Sequence, residues 1–168
     1  MNRNTPLLAF AAVAAIALFA AACGSSGSTG LYGSAPTASP TTAVPAAAKV
    51  GVGSTGLGHV VVNSAGRTVY LFAKDTKGQS MCSAACATYW PPVISTGKPV
   101  ALKGASQSLV GTIKRGDGSV QVTYAGHPLY LYQGDQRAGQ ASGEGLTDFG
   151  AAWDALTPAG GTIQPNQG

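Results

Sequence analysis

Two aspartates, Asp75 and Asp135, are the residues of this chain best placed to do chemistry, because each closes a copy of the same short motif. Paired carboxylates could act as general acid and base or bind a cation. Cleavage of a glycosidic bond would need them within about 5–10 Å of each other. Alternatively, each aspartate ends a strand and caps the next turn by accepting backbone N–H bonds. A fold element recurs with its repeat whereas an active site usually does not, so we favour the structural interpretation over an envelope hydrolase.

The repeated motif has the form Tyr-x-aromatic-x-x-Asp, and a tryptophan follows each copy. Its aromatic members and the two tryptophans are Tyr70, Phe72, Trp90, Tyr130, Tyr132 and Trp153. Rings at alternate positions of a strand could form a binding surface for sugars or quinones, but they more often form a core layer. Recurrence of one pattern indicates a supersecondary unit used twice, each copy burying a face against the other. We expect the tryptophans to be large apolar plugs of that core.

Cysteines 82 and 86 offer a second kind of chemistry. An even pair in an exported domain is first a disulfide, and spacing of four residues on a helical turn places the Cα atoms about 6 Å apart, within the range for a bridge. The alternative is a redox or copper site, because thiolates favour Cu(I) and Met81 or His127 could add ligands. A Cys-x-x-x-Cys pair alone is a weak metal signal. We therefore favour the Cys82–Cys86 disulfide and expect no cofactor, with copper as the alternative.

The N-terminus indicates export and a lipid anchor. Residues 1–22 have the layout of a cleaved signal peptide, in which Arg3 precedes an apolar run that ends at Cys23. The residues before Cys23 are similar to a bacterial lipobox, although Ala20 stands where leucine is usual. In lipoboxes the cysteine is diacylated, palmitate being an expected group, and two acyl chains give stable anchoring. An ordinary signal or a short anchor with an incidental cysteine is the alternative. We predict a lipoprotein on the extracytoplasmic side of the cell membrane.

Composition divides the rest of the chain in two. Residues 23–49 form a lipidated cysteine and an Ala/Gly/Ser/Thr/Pro tether that cannot bury enough apolar surface to order itself. Residues 50–164 have the size of one domain, with repeat 1 at about 56–104 and repeat 2 at about 105–161. The chain has 10 Lys and Arg against 6 Asp and Glu. Because the basic residues are not concentrated on one element, we expect no nucleic-acid binding.

The domain is predicted to be mainly β, built from short antiparallel strands with one or two helical turns. Strands are expected at residues 58–62, 67–73, 109–114, 119–124 and 127–132. The Asp117-Gly118 step is a strong hairpin signal. In the strand at 67–73 both faces should be covered, since apolar residues occupy each face. Residues 51–56 fit a Gly-x-Gly-x-x-Gly pattern, but they do not lie between a strand and a helix, so we reject a dinucleotide site.

Several separated motifs together resemble the bacterial secreted-repeat lipoproteins, a family of predicted lipoproteins named for a Y-x-[FWY]-x-x-D motif. The residues that carry the resemblance are the two motif copies, the Cys-x-x-x-Cys-Ala-x-x-Trp-Pro-Pro run at 82–92, and the segments 121–124 and 126–130. The resemblance implies exported, usually lipid-anchored tandem repeats without an established activity, and no catalytic residues. We therefore expect a non-enzymatic module that binds a protein or envelope partner, with a redox or copper-handling lipoprotein as the alternative.

Overall fold

The structure, a computed structural model, describes residues 46–76 and 78–163. The predicted signal peptide, Cys23 and the predicted tether up to residue 45 lie outside the described residues. All the described residues belong to one compact unit, Pro40–Gly168.

Nine short strands, one helix and one 3₁₀ turn make up the described part of the chain. In the first half these are β1 (Lys49–Thr55), β2 (Gly58–Asn63), β3 (Tyr70–Phe72), α1 (Ala85–Tyr89) and β4 (Val100–Ala101). In the second half they are the 3₁₀ turn (Gln107–Leu109), β5 (Val110–Lys114), β6 (Val120–Tyr124), β7 (His127–Pro128), β8 (Leu146–Asp148) and β9 (Ala151–Ala155). The predicted mainly β fold is confirmed.

The strands form three small sheets with the orders β2-β1-β4, β3-β9-β8 and β5-β6-β7. An antiparallel hairpin precedes each motif copy, β1–β2 the first and β5–β6 the second, and in these hairpins Val52 faces Val61 and Thr112 faces Val122. Strand β1 lies before residue 56, where repeat 1 was predicted to begin, and we count it with repeat 1 from here on. The predicted turn between β5 and β6 is present, and Gly118 has the positive φ of 84° that such turns favour in glycine. Strand β4 pairs in parallel with the start of β1.

Strand β1 is not among the strands that we predicted, because its glycines weaken the strand pattern. The structure shows why two of them are tolerated. A Cβ added to Gly53 would lie 2.9 Å from a methyl carbon of Val62, and one added to Gly51 would lie 3.1 Å from Leu102 Cβ. The neighbouring side chains thus occupy the space that side chains of β1 would take, and only glycine permits this close packing.

Each repeat pairs with a segment from the later part of the other repeat. Strand β3 of repeat 1 pairs with β9 of repeat 2, with Phe72 opposite Trp153. In the other direction, Leu131 of repeat 2 donates its N–H to Pro91 O of repeat 1 at 2.8 Å. Between these pairings, Tyr70 and Tyr130 each donate an N–H to the other's carbonyl, at 2.9 and 3.0 Å. Each repeat is therefore completed by the end of the other.

The buried side chains form two clusters. The first, here called the aromatic core, is Val60, Val62, Tyr70, Phe72, Cys82, Cys86, Trp90, Tyr130, Trp153 and Ala155. The second, here called the aliphatic core, is Val50, Val61, Val69, Leu71, Val93, Val122, Tyr124, Leu129 and Leu156. Residues 69–72 supply both cores alternately, so the prediction that both faces of this strand are covered is confirmed.

Candidate functional site

The repeated motifs meet through two tyrosine–aspartate hydrogen bonds. Tyr70 in repeat 1 donates its hydroxyl hydrogen to Asp135 Oδ2 in repeat 2 at 2.5 Å. Tyr130 in repeat 2 donates to Asp75 Oδ2 in repeat 1 at 2.7 Å. Each tyrosine thus bonds to the aspartate of the other copy, a relationship between repeats that the sequence pattern does not reveal. We call these two hydrogen bonds the reciprocal latch.

The second oxygen of each aspartate fixes the irregular insert that follows its own motif. Asp75 Oδ1 accepts the N–H of Met81 at 2.7 Å, and Asp135 Oδ1 accepts the N–H of Ser142 at 2.9 Å. Carboxylates that accept backbone N–H bonds are what the structural interpretation of these residues predicts.

The tyrosine hydroxyls also contact the inserts. Tyr70 Oη accepts the N–H of Gly143 at 3.2 Å, and Tyr130 Oη lies 2.7 Å from Ser80 Oγ. Gly143 has to be small at this point, because an added Cβ would lie 2.9 Å from both the Tyr70 and Trp90 rings. The latch therefore ties four segments together, namely both motifs and both inserts.

Burial sets the electrostatics of the latch. Asp135 is fully buried and Asp75 is partly buried. Burial raises the pKa of Asp75, while its hydrogen bonds from Met81 and Tyr130 act in the opposite direction. Burial also raises the pKa values of Tyr70 and Tyr130, and for Tyr70 the hydrogen bond to Asp135 adds to the effect. Both tyrosines therefore keep their hydroxyl hydrogens and act as donors across the neutral pH range.

The remaining motif rings form one stacked column that alternates between the repeats. Phe72 stacks on Trp153 with centroids 4.2 Å apart, Trp153 stacks on Trp90 at 3.9 Å, and Trp90 lies 4.5 Å from Tyr132. The latch tyrosines meet this column edge-on, Tyr70 against Trp90 and Tyr130 against Trp153. These rings line the aromatic core, and the tryptophans occupy the plug positions expected of them.

The predicted disulfide between Cys82 and Cys86 is present, with the Cα atoms 5.2 Å apart and both residues buried. Among the possible ligands of the copper alternative, Met81 and His127 are exposed. Within residues 46–76 and 78–163, no group of three or more His, Cys, Asp and Glu residues is arranged to hold a metal ion.

Arg115 is a buried residue whose role sequence reasoning missed, since the sequence pattern places it only in a hairpin turn. Its Nη2 donates to Cys82 O at 2.6 Å, and its Nη1 lies 2.7 Å from Ser80 Oγ and 2.6 Å from Gln121 Oε1. The guanidinium thus fixes the first insert on the β5–β6 hairpin. Nothing in the local sequence marks Arg115 for this role, because the two partners in the first insert, Ser80 and Cys82, lie more than thirty residues away in the chain.

Open spaces on the surface of the described residues include two that adjoin the β5–β6 hairpin. One, of about 840 Å³, separates the first insert from the β5–β6 turn and is lined partly by Ser83, Lys114 and Asp117. The other, here called the apolar groove, has a volume of about 720 Å³ and lies against residues 110–112, 119–120 and 94–99. Neither space is lined by an aspartate of the repeated motifs.

No helix in the described ranges is both long and apolar enough to cross a membrane. A sequence model of a family described as a secreted repeat of unknown function matches the chain twice, at residues 51–94 and 111–157. Neither a curated protein nor a solved structure matches the chain significantly. The two matched segments contain the two motif copies, and they confirm the resemblance that those motifs indicated.

Proposed function

We propose, starting from the fact that this chain belongs to the family of secreted repeats of unknown function, that it is a lipid-anchored interaction module. Cys23 carries the lipid, and the domain stands on the extracytoplasmic side of the cell membrane. The domain binds a protein or envelope partner without catalysing a reaction. Secretion of the family is consistent with this location.

The observation that carries the proposal is the reciprocal latch. The polar groups of the repeated motifs, which are the most suggestive chemistry in the sequence, are engaged with one another between the repeats. Asp135 is fully buried and bonded through both oxygens, to Tyr70 and to Ser142. A hydrolase would need two carboxylates open to a substrate. The motifs are better explained as the means of building a rigid domain whose outer surface does the binding.

The same geometry supports a structural role for the cysteines. Cys82 and Cys86 are joined and buried at the base of the first insert, where Arg115 holds the carbonyl of Cys82. Copper binding through thiolates would first require reduction of this bridge. The copper-handling alternative thus predicts a reduced, metal-bound form, and the interaction module predicts an oxidised, metal-free one.

Comparison of the complete chain with a Cys23→Ser variant tests the proposal. Expressed with its own signal sequence in a bacterium, the wild-type protein should partition into detergent, and the variant should appear in the aqueous phase. The double variant Cys82→Ser/Cys86→Ser is the matched control, because it removes cysteines while leaving the anchor, and it should stay with the detergent. A native mass spectrum of the Cys23→Ser protein with added copper should show an oxidised chain and no metal adduct.

Two results would contradict the proposal. If the wild-type protein in the detergent phase keeps its N-terminus uncleaved and carries no added lipid mass, the chain is held by a membrane anchor other than a lipid. If the spectrum shows reduced thiols with stoichiometric copper, the copper-handling alternative replaces the interaction module.

A further inference from the structure

The outer edge of β5 presents unpaired backbone groups. Strand β5 is the first strand of the sheet β5-β6-β7. Its residue Thr112 lies opposite Val122, which donates its N–H to Val93 O and accepts the N–H of Leu129 on the far side of β6. In an antiparallel pair of this kind, both residues direct their backbone groups away from each other. The N–H and C=O of Thr112 therefore point outward, and no strand among the described residues pairs with them.

In repeat 1 the corresponding edge is filled. Val52 lies opposite Val61, which bonds to Leu156 O and to the N–H of Val69, just as Val122 bonds in repeat 2. The outward N–H of Val52 donates to Lys103 O at 3.3 Å, and Leu102 N–H donates to Val50 O at 2.7 Å. Residues 100–103, which include β4, thus cover the edge of β1. The edge of β1 therefore shows how a parallel segment pairs with the first strand of such a hairpin.

The chain does not supply the matching segment to β5 within its described residues. After Trp153 the backbone turns back on itself, so that Leu156 pairs with Thr162 and Ile163 donates its N–H to Ala155 O. Counting from the tryptophans, Leu102 follows Trp90 at the same distance at which Pro165 follows Trp153. Proline has no N–H to donate, so Pro165 cannot repeat the bond that Leu102 makes.

The apolar groove begins at β5 and extends across β6 to residues 94–99, so it offers room for side chains on one side of this strand. It is lined by Val110 and Thr112 of β5, by Val120 of β6, and by Ile94 beyond β6; Val120 and Ile94 are 38% and 41% exposed. When an extended peptide adds to a sheet edge, its backbone supplies the affinity and pockets for alternate side chains supply the specificity. An open strand edge with an apolar groove beside it offers both.

We propose that the outer edge of β5 is the docking site for an extended segment of a partner protein. The segment runs parallel to β5, as β4 runs parallel to β1, and it carries small or branched apolar side chains with a free N–H at the position of Leu102. This inference rests on the proposed function and names its site and the chemistry of its partner.

A peptide that copies residues 98–103, acetyl-Lys-Pro-Val-Ala-Leu-Lys-amide, is the probe. It is titrated into the ¹⁵N-labelled exported chain with Cys23→Ser, while amide shifts and hydrogen exchange are followed by NMR. We expect the largest shifts at residues 110–114. Exchange of the Thr112 amide should slow about tenfold at roughly 90% saturation, because only the free fraction exchanges. A control peptide with proline in place of its leucine should leave these amides unchanged.

Two substitutions at one position separate backbone pairing from side-chain contact. Thr112→Pro removes the outward N–H and should abolish peptide binding, whereas Thr112→Val keeps the N–H and should preserve it. If Thr112→Pro fails to fold, the peptide with proline in place of leucine still tests backbone pairing, because it removes an N–H from the peptide and leaves the protein unchanged.

Three results would overturn the docking site. The first is an absence of shifts in β5 at millimolar peptide. The second is a Thr112 amide already protected in the free chain and exposed in a chain ending at Ile163, which would assign the edge to the protein's own C-terminus. The third is a concentration-dependent dimer that Thr112→Pro disrupts, which would assign it to a second copy. These measurements use the unlipidated chain, so failure of the site and failure of the anchor are separate outcomes.

Discussion

At the scale of single residues, the hydroxyl groups of Tyr70 and Tyr130 are the smallest features on which the joining of the repeats depends. Each donates to a carboxylate of the other repeat from a fully buried ring. A buried acceptor that loses its donor bears the full cost of its desolvation. The two latch bonds differ in setting, since Asp135 is fully buried whereas Asp75 is partly exposed. The two hydroxyls should therefore contribute different amounts to the free energy of unfolding.

Removing the Tyr70 hydroxyl should therefore destabilise the protein more than removing that of Tyr130. We expect Tyr70→Phe to lower the free energy of unfolding by about 1–3 kcal/mol, the range for a buried polar group left without its partner. Tyr130→Phe should lower it less, because water can reach Asp75. Tyr89→Phe is the matched control, since the Tyr89 ring is 53% exposed, and it should be nearly neutral. Urea denaturation measures all three, and equal effects of Tyr70→Phe and Tyr89→Phe would contradict a role for the latch.

Because the pKa of Asp75 is raised, we expect the free energy of unfolding to depend on pH. Because burial raises the pKa in the folded state, the fold binds this proton more tightly than the unfolded chain does. The resulting stabilisation is fully present below the unfolded pKa of about 3.9 and is lost as the pH rises through the folded pKa.

Comparison with Asp75→Asn isolates this effect, because the variant cannot titrate at this position. The wild-type stability minus that of the variant should fall between about pH 4 and neutrality, while any change in hydrogen bonding adds only a constant. Urea denaturation at a series of pH values measures the difference. A difference that stays flat across this range would show that Asp75 keeps its ordinary pKa in the fold.

At the scale of elements, the strands that the sequence predicts are those whose local signals agree with one another. The Asp117-Gly118 turn joins β5 to β6, and the alternation from Val69 to Phe72 matches a strand buried on both faces. Strand β1 was not predicted because the reason for its glycines lies outside the strand. The side chains of Val62 and Leu102 fill the space that a Cβ at Gly53 or Gly51 would need. Local patterns show that a strand is buried, but they do not show which strand lies beside it.

The aromatic column illustrates the same limit for the candidate site. The spacing of Phe72 and Tyr132 identified both as core rings, and Trp90 and Trp153 as its large plugs. Phe72 stacks on Trp153, and Tyr132 lies against Trp90 at a tilt of 31°. Both contacts join different repeats, and they depend on the pairing of β9 and of residues 89–94 with the other repeat. Two copies of one pattern carry no information about whether their residues pair within a repeat or between repeats. Arg115 was missed for the related reason that its partners in the first insert, Ser80 and Cys82, are distant in sequence.

At the scale of the whole molecule, the repeats are parts of one folding unit. Without repeat 2, β3 loses its partner β9, and Trp90 loses the Trp153 ring 3.9 Å away. Without repeat 1, Leu131 loses its bond to Pro91 and Asp135 loses its bond to Tyr70. Small domains that bury little surface are marginally stable, so half of this one should not fold alone.

A chain divided between Gly104 and Ala105 tests this interdependence. We expect each fragment alone to give a collapsed amide NMR spectrum, and an equimolar mixture to recover the dispersed spectrum of the intact Cys23→Ser protein. Strand β3 of the first fragment pairs with β9 of the second, and Phe72 and Trp90 stack on Trp153, so the mixture should contain one copy of each fragment by native mass spectrometry. Trp153→Ala in the second fragment is the control, since removing a buried tryptophan costs about 3–5 kcal/mol and should prevent recovery. A fragment that folds alone as a monomer would refute the interdependence.

The position of β1 has a mechanical consequence. Any tension on the chain from its N-terminal side enters the domain at this strand, which lies between β2 and β4. Strand β1 is paired with β2 along its length from Val50 to Thr55, and with β4 at its start. A pull directed along the strand loads these hydrogen bonds together in shear instead of peeling them apart in turn. Since forced unfolding is governed by the unfolding rate, this arrangement should slow the unfolding of the domain under such a pull.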